Sequence, residues 1–213
     1  QMMEIKTNPG MTTSVVLPDS TVVYLNSESS LRYPSVFEGD IRNVELKGEA
    51  YFAVTKQVTK PFIVCLDQAE ITVLGTEFNV RNYENEAIAT TLVKGSVSVT
   101  DNSNISECRL RPGQQAVLEN NEIRIRVVNV EEQVAWRHGA FGFTQCRLEN
   151  IMEELARWYD VDVVYEDEEV KDYPFGCNFS RHATIEPLLK VFEATGTIET
   201  SIHGRKIWIR KRK

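Results

Sequence analysis

Leu148-Glu149-Asn150-Ile151-Met152-Glu153-Glu154-Leu155 carries apolar residues at i, i+3, i+4 and i+7, the spacing of one stripe on a helix. Thirty-seven residues later Ile185, Leu188, Leu189 and Phe192 repeat that spacing, and a short β-type segment follows each run. A helix with one apolar stripe must lie against something, most simply a sheet. The repeat therefore predicts two related strand–helix–strand units forming a small α+β module with its own core. The roughly 135 residues ahead of it hold no comparable helix. The fold class read from this division is mainly β plus a small α+β domain, with domains at 1–135 and 136–213.

From Ser14 to Val128 the chain alternates short strand candidates with turns. Ser14–Leu17 and Thr21–Leu25 flank Pro18-Asp19-Ser20, a composition suited to a tight reversal. Val44–Leu46 and Ala50–Val54 flank Lys47-Gly48-Glu49, which reads as another turn. Phe62–Leu66, Glu70–Leu74, Glu77–Arg81, Ala87–Val93 and Ser96–Thr100 follow, then Pro112-Gly113, Gln115–Leu118 and the alternating Ile123, Ile125 and Val127. Alternation dominates, as in strands with one face buried and one wet. Such spacing fits an elongated two-sheet sandwich or a flattened β-solenoid. The character changes between Asn129 and Gly142, which places the junction there. Beyond it the pattern predicts strand Ala140–Phe143, helix Arg147–Tyr159, strand Val161–Tyr165, strand Phe175–Phe179, helix Ile185–Thr195 and a hairpin over Ile198–Ile209. Thr184 is the expected N-cap of the second helix and Gly196 its C-terminal stop.

The chain has 213 residues, 42% of them hydrophobic and 26% charged, an ordinary folded composition. No run is long and apolar enough for a membrane span. Gln1–Gly10 lacks the apolar core of a secretory signal, and the start reads as that of an excised fragment. The formal charge is −7, but Arg205 to Lys213 hold six basic residues and no acid, so residues 1–204, with 18 basic and 31 acidic side chains, carry −13. An acidic body argues against direct nucleic-acid binding, which needs clustered basic charge.

The chemistry-bearing residues are sparse. His138, His182 and His203 are the three histidines. Cys177 and His182, five residues apart, are the nearest approach to a nucleophile–base pair, and no third group orients them. Nucleophile-elbow, HExxH, P-loop and dinucleotide motifs are all lacking. Glu166-Asp167-Glu168-Glu169 lacks the alternating ligands of a calcium hand and reads as a solvated connector. The chain is therefore expected to be no enzyme and to hold no cofactor or metal. Cys65 reads as a buried small hydrophobe; sequence leaves open whether Cys146 and Cys177 form a disulfide. Trp158 and Tyr159 continue the first helix stripe. Trp208, between Ile207 and Ile209, suits either packing against a helix or a partner contact on an edge strand.

Leu17-Pro18-Asp19-Ser20-Thr21-Val22-Val23-Tyr24-Leu25-Asn26 followed by Ser30-Leu31-Arg32-Tyr33-Pro34 resembles the opening motif of the FecR family of anti-sigma regulators. The resemblance continues through Arg42-x-Val44-x-Leu46-x-Gly48-Glu49-Ala50-x-Phe52-x-Val54, Pro61-Phe62-x-Val64, Val73-Leu74-Gly75-Thr76-x-Phe78-Asn79-Val80, Gly95-x-Val97-x-Val99 and Pro112-Gly113-Gln114-x-Ala116. Trp136-x-x-Gly139 leading into Phe141-x-Phe143 extends it. The C-terminal module is similar to the secretin/TonB short N-terminal domain that follows in the Bacteroidetes members. Ser20 stands where the family usually has glycine.

The resemblance implies the periplasmic sensor region of a protein tethered to the inner membrane. Its cytosolic anti-sigma segment and single membrane helix would lie ahead of Gln1. The implied partners are the N-terminal signalling domain of a TonB-dependent outer-membrane transporter and, through that cytosolic segment, an extracytoplasmic-function sigma factor. An alternative is a carbohydrate- or surface-binding β-domain with an auxiliary module. The expected contact is the terminal strand, where one edge would lack a neighbour, with Arg205, Lys206, Trp208, Arg210 and Lys211 as partner-binding residues.

Overall fold

The computed structural model describes residues 1–103 and 106–213. In its first part the strands succeed one another as β1 (Met2–Lys6), β2 (Thr13–Val16), β3 (Val22–Leu25), β4 (Ser30–Pro34), β5 (Arg42–Ala53), β6 (Phe62–Cys65), β7 (Ala69–Val73), β8 (Glu77–Asn82), β9 (Ile88–Lys94), β10 (Val97–Asp101), β11 (Glu107–Leu110), β12 (Gln114–Glu119) and β13 (Glu122–Val127). One sheet has the order β1-β4-β5-β6-β7-β10-β11 and the other β2-β3-β5-β8-β9-β12-β13. The β5–β6 ladder is parallel and the other neighbours are antiparallel. Residues from both sheets share one core. There Phe52 stacks on Phe78 at 5.1 Å and meets Phe62 of the facing sheet edge-on at 6.1 Å. The fold is mainly β followed by a smaller α+β part.

β5 belongs to both sheets. Arg42–Lys47 pairs with β4 and β6, whereas Gly48–Ala53 pairs with β3 and β8. The turn expected at Lys47-Gly48-Glu49 is thus a bend within one strand that changes sheets. Gly48 has φ +83°, and a Cβ there would meet the Oγ of Ser29 and lie 2.7 Å from its Cα. Glycine is required on both counts.

Two buried polar networks tie this unit together. Arg42, whose side chain is fully buried, donates from Nη1 to Asp19 Oδ2 at 2.6 Å and to the Thr55 carbonyl at 2.9 Å, and from Nε to the Lys60 carbonyl at 2.9 Å. Asp19 also accepts from the Thr21 amide and hydroxyl. The Pro-Asp-Ser turn is therefore anchored to the first residue of β5 as well as closed locally. In the second network the buried Glu49 carboxylate accepts from Asn26 Nδ2 at 2.8 Å and Asn79 Nδ2 at 2.9 Å. Buried charge is tolerated when it is paired and hydrogen-bonded in this way.

A short helix α1 (Val130–Gln133), capped by the Asn129 side chain, ends the first part. The second has β14 (Ala140–Arg147), α2 (Leu148–Tyr159), β15 (Asp162–Tyr165), a 3-10 turn at Glu168–Asp172, β16 (Pro174–Ser180), α3 (Glu186–Glu193), β17 (Ile198–His203) and β18 (Lys206–Lys211). β14 pairs with β16, while β15, β18 and β17 form a three-stranded sheet in that order. Each strand–helix–strand unit thus gives its first strand to one sheet and its second to the other. The two stripes are inside: Leu148, Ile151, Met152 and Leu155 of α2, with Leu188, Leu189 and Phe192 of α3, are buried in one core with Ile198, Ile207 and Ile209.

Ile185, not Thr184, holds the N-cap position of α3, without a side-chain cap. The Thr184 hydroxyl instead bonds the Glu186 carboxyl, which holds it below its ordinary range. Gly196, φ +78°, closes the helix end by donating to the Glu193 carbonyl.

By its contacts the chain divides into two units, Gln1–Val134 and Ala135–Lys213. We propose that the second folds alone. A fragment of residues 135–213 is expected to give a cooperative melt and mixed α/β circular dichroism, and a fragment without a cooperative transition would overturn this.

Candidate functional site

The C-terminal hairpin turns at Gly204-Arg205, with His203 opposite Lys206. Its second strand, β18, is the centre of its sheet. It pairs in parallel with β15 from Asp162↔Lys206 to Tyr165↔Ile209, and antiparallel with β17. The expectation that the terminal strand has an open edge is therefore corrected. A parallel partner 40-odd residues earlier in sequence takes that position, and such non-local pairing leaves no mark in local periodicity. The outer sides of β15 and β17 are the edges of this sheet.

Strand alternation sends Ile207 and Ile209 into the core, where both are fully buried, and Lys206, Trp208 and Arg210 to the opposite face. Trp208 is half-buried there. It lines an open depression of about 150 Å³ with Glu166, Glu199, Thr200, Ser201 and Arg210. Packing against a helix, one of its two expected roles, is taken by Ile207 and Ile209 instead.

The structure brings the predicted basic residues near acids of their own unit. Arg205 pairs with Asp160 across the hairpin end. Arg210 donates from Nε and Nη2 to Glu199 Oε2 at 2.9 and 2.7 Å, and this bond to the carboxylate raises its pKa. Lys211 contacts Glu169 at 2.7 Å, which raises its pKa through hydrogen bonding first and charge second, and its amide donates to Asp167. The acidic run Glu166–Glu169 is thus partly a counter-charge for the basic tail. Lys206 is exposed. These exposed pairs hold geometry more than they add stability.

Sequence reasoning missed Arg181. Its side chain is 2% exposed and lies between two rings, the guanidinium carbon 4.6 Å from the centre of Phe141 and 4.8 Å from that of Trp158. It bonds Glu154 on α2 at 2.9 Å. Trp158 donates to the Arg181 carbonyl and Tyr159 to that of Ala183. The end of the helix stripe thereby clamps the chain leaving β16. Two aromatics ending a stripe were the available signal, but an arginine after a strand does not announce burial.

Cys177 and His182 have separate surroundings. Cys177 packs against the core beside Cys146, and its pKa is pushed up to about 11 by burial first and by Cys146 next. The imidazole of His182 lies over Gly139. A thiol so protonated behaves as a small hydrophobe. None of the four cysteines is in a disulfide; Cys146 opposes Phe175 and Cys177 opposes Phe143 across a bulge in β14, a diagonal placement. Among the described residues no group of three or more His, Cys, Asp or Glu side chains could hold a metal ion.

The chain thus joins a two-sheet β unit in sequence to a small α+β unit with strand edges and paired surface charges, and the comparisons say which proteins share this arrangement. The chain matches the FecR protein family over residues 3–98 and the FecR C-terminal family over residues 140–209. Two crystal structures of a candidate anti-sigma factor from Parabacteroides distasonis ATCC 8503, at 1.65 and 2.50 Å, are similar to it. Each is 32% identical with a TM-score of 0.91, and they cover 99% and 100% of this chain and all of their own. Among curated proteins no sequence matches.

The chain belongs to the FecR family of anti-sigma regulators. Its role is that of a sensor in anti-sigma regulation, and regulators of this family are not typically enzymes. Family members are typically membrane-tethered periplasmic sensors. No helix among the described residues is long and apolar enough to cross a membrane.

Proposed function

We propose that this chain is the periplasmic, signal-receiving region of a transmembrane anti-sigma factor. The N-terminal signalling domain of a TonB-dependent outer-membrane transporter docks on its α+β unit, and the signal controls an extracytoplasmic-function sigma factor. The observation that carries this reading is the family match running through both units, with the FecR C-terminal family spanning the α+β unit. Docking must favour one conformation, or one susceptibility to proteolysis, over another for a message to pass.

The contact is proposed at the three-stranded sheet, where Arg205, Lys206, Trp208, Arg210 and Lys211 cluster on or beside β18. The carbohydrate-binding alternative gains no support, since the well-exposed large hydrophobic side chains among the described residues include no aromatic.

The test is direct capture of the purified transporter signalling domain. Lys206→Glu, at an exposed position, and Trp208→Ala are each expected to weaken capture severalfold. The charge variant should lose most at low salt, with its melting temperature unchanged. Capture that is indifferent to both would remove this face as the contact, and no capture by the wild type would overturn the reading.

A further inference from the structure

The edges of the three-stranded sheet differ. The Arg212 amide donates to the Thr197 carbonyl at 3.0 Å. Backbone alternation therefore turns Glu199, Ser201 and His203 towards β18, and Ile198, Thr200 and Ile202 away from it. On the other side Asp162 donates to the Arg205 carbonyl just ahead of β18 and Glu166 to the Ile209 carbonyl within it, so only Val163 and Tyr165 of β15 face outwards. β17 presents the longer row of outward backbone groups.

The middle of that row is covered. Glu193, the last residue of α3, reaches round the edge, and its Oε1 accepts from the Thr200 amide at 2.7 Å and from the Thr200 hydroxyl at 2.9 Å. A carboxylate on the outward amide of an edge strand occupies the donor that a second strand needs. It also places negative charge where that strand's carbonyl oxygen would arrive, as charges on natural sheet edges do.

We infer that the outer edge of β17 is the strand-pairing edge of this unit and that Glu193 is its guard, leaving Thr200 when a partner strand docks. This rests on the reading that a transporter signalling domain is received here. The occupant is an extended segment of that domain beside Ile198–Ile202. Outward donors and acceptors that recur at roughly 6.8 Å, two strand residues, match another strand in register. The side-chain face around Trp208 then supplies specificity, and the edge supplies the main-chain bonds.

The experiment titrates the full chain with the purified signalling domain. Glu193→Ala frees the Thr200 amide and is expected to tighten binding about tenfold, the worth of a charge-assisted hydrogen bond that no longer has to be broken. Thr200→Pro removes an amide that β18 does not use, at a position where an edge strand tolerates proline. It is expected to weaken binding about tenfold or more. Should Thr200→Pro fail to fold, hydrogen exchange at Thr200 in the Glu193→Ala protein replaces it: that amide should be protected by the signalling domain and exchange fast without it. Binding unchanged in folded Glu193→Ala, or no protection at Thr200, overturns the guarded edge while leaving the functional reading intact. Absence of binding by the wild type overturns both.

Discussion

Arg42→Ala is expected to lower the melting temperature of the β unit by roughly 10 °C or more, from a loss of about 3–5 kcal/mol. The guanidinium is fully buried and the Asp19 side chain 5% exposed. Deleting one partner leaves a carboxylate with water excluded and its strongest donor gone. Two carbonyls, Thr55 and Lys60, lose their bonds to the same side chain, and the cation 5.3 Å from the Phe62 ring centre disappears. The damage therefore reaches the turn before β3, the end of β5 and the approach to β6 together. Replacing both charges, as Arg42→Met with Asp19→Ala, should recover part of the loss, because a buried pair is often no better than apolar packing of similar volume. Thermal unfolding decides the matter: a single-variant loss below about 1 kcal/mol would mean that the pair is more hydrated than its burial implies.

Gly48→Ala should be comparably severe, at about 2–5 kcal/mol. A left-handed backbone costs an L-residue on the order of 1–2 kcal/mol, and forcing a methyl into filled space adds about 1–3. The obstacle is backbone, since the Ser29 Cα would lie 2.7 Å from the new carbon, so Ser29→Gly offers only partial rescue. Ser29 Oγ also accepts the Glu49 amide at 2.8 Å, and any shift that makes room disturbs the second polar network. Gly113→Ala is the control. Its φ is +88° but nothing lies within 4 Å of the added carbon, so only the backbone strain is expected. Equal losses at the two glycines would refute the close-approach argument.

Local pattern carried much of this fold. The helix stripes were legible because each apolar residue in them is buried, and amphipathic periodicity records burial directly. Gly48 misled because a glycine flanked by Lys47 and Glu49 looks the same whether the chain reverses or bends. Only the tertiary approach of Ser29 distinguishes the two. β1 and β4 pair with each other; β1 does not alternate, and β4 alternates only over Ser30–Tyr33 before Pro34, a residue that argues against a strand. The position of β18 was illegible for another reason: pairing with β15 is a property of two distant segments jointly.

The candidate site was legible as a set of residues but not as an arrangement. Trp208 and Arg210 do share a solvent-facing side, yet the charges read as free to attract a partner are engaged with Asp160, Glu199 and Glu169. Glu193 gave no signal at all, since an acid at a helix end is unremarkable until the strand edge beside it is known.

β5 has a mechanical meaning beyond its part in the core. Because one continuous strand serves as a rail for both ladders, neither sheet can slide in register without dragging the other by the same step. A tug or twist that shifts β5 in one ladder is therefore passed directly to the other.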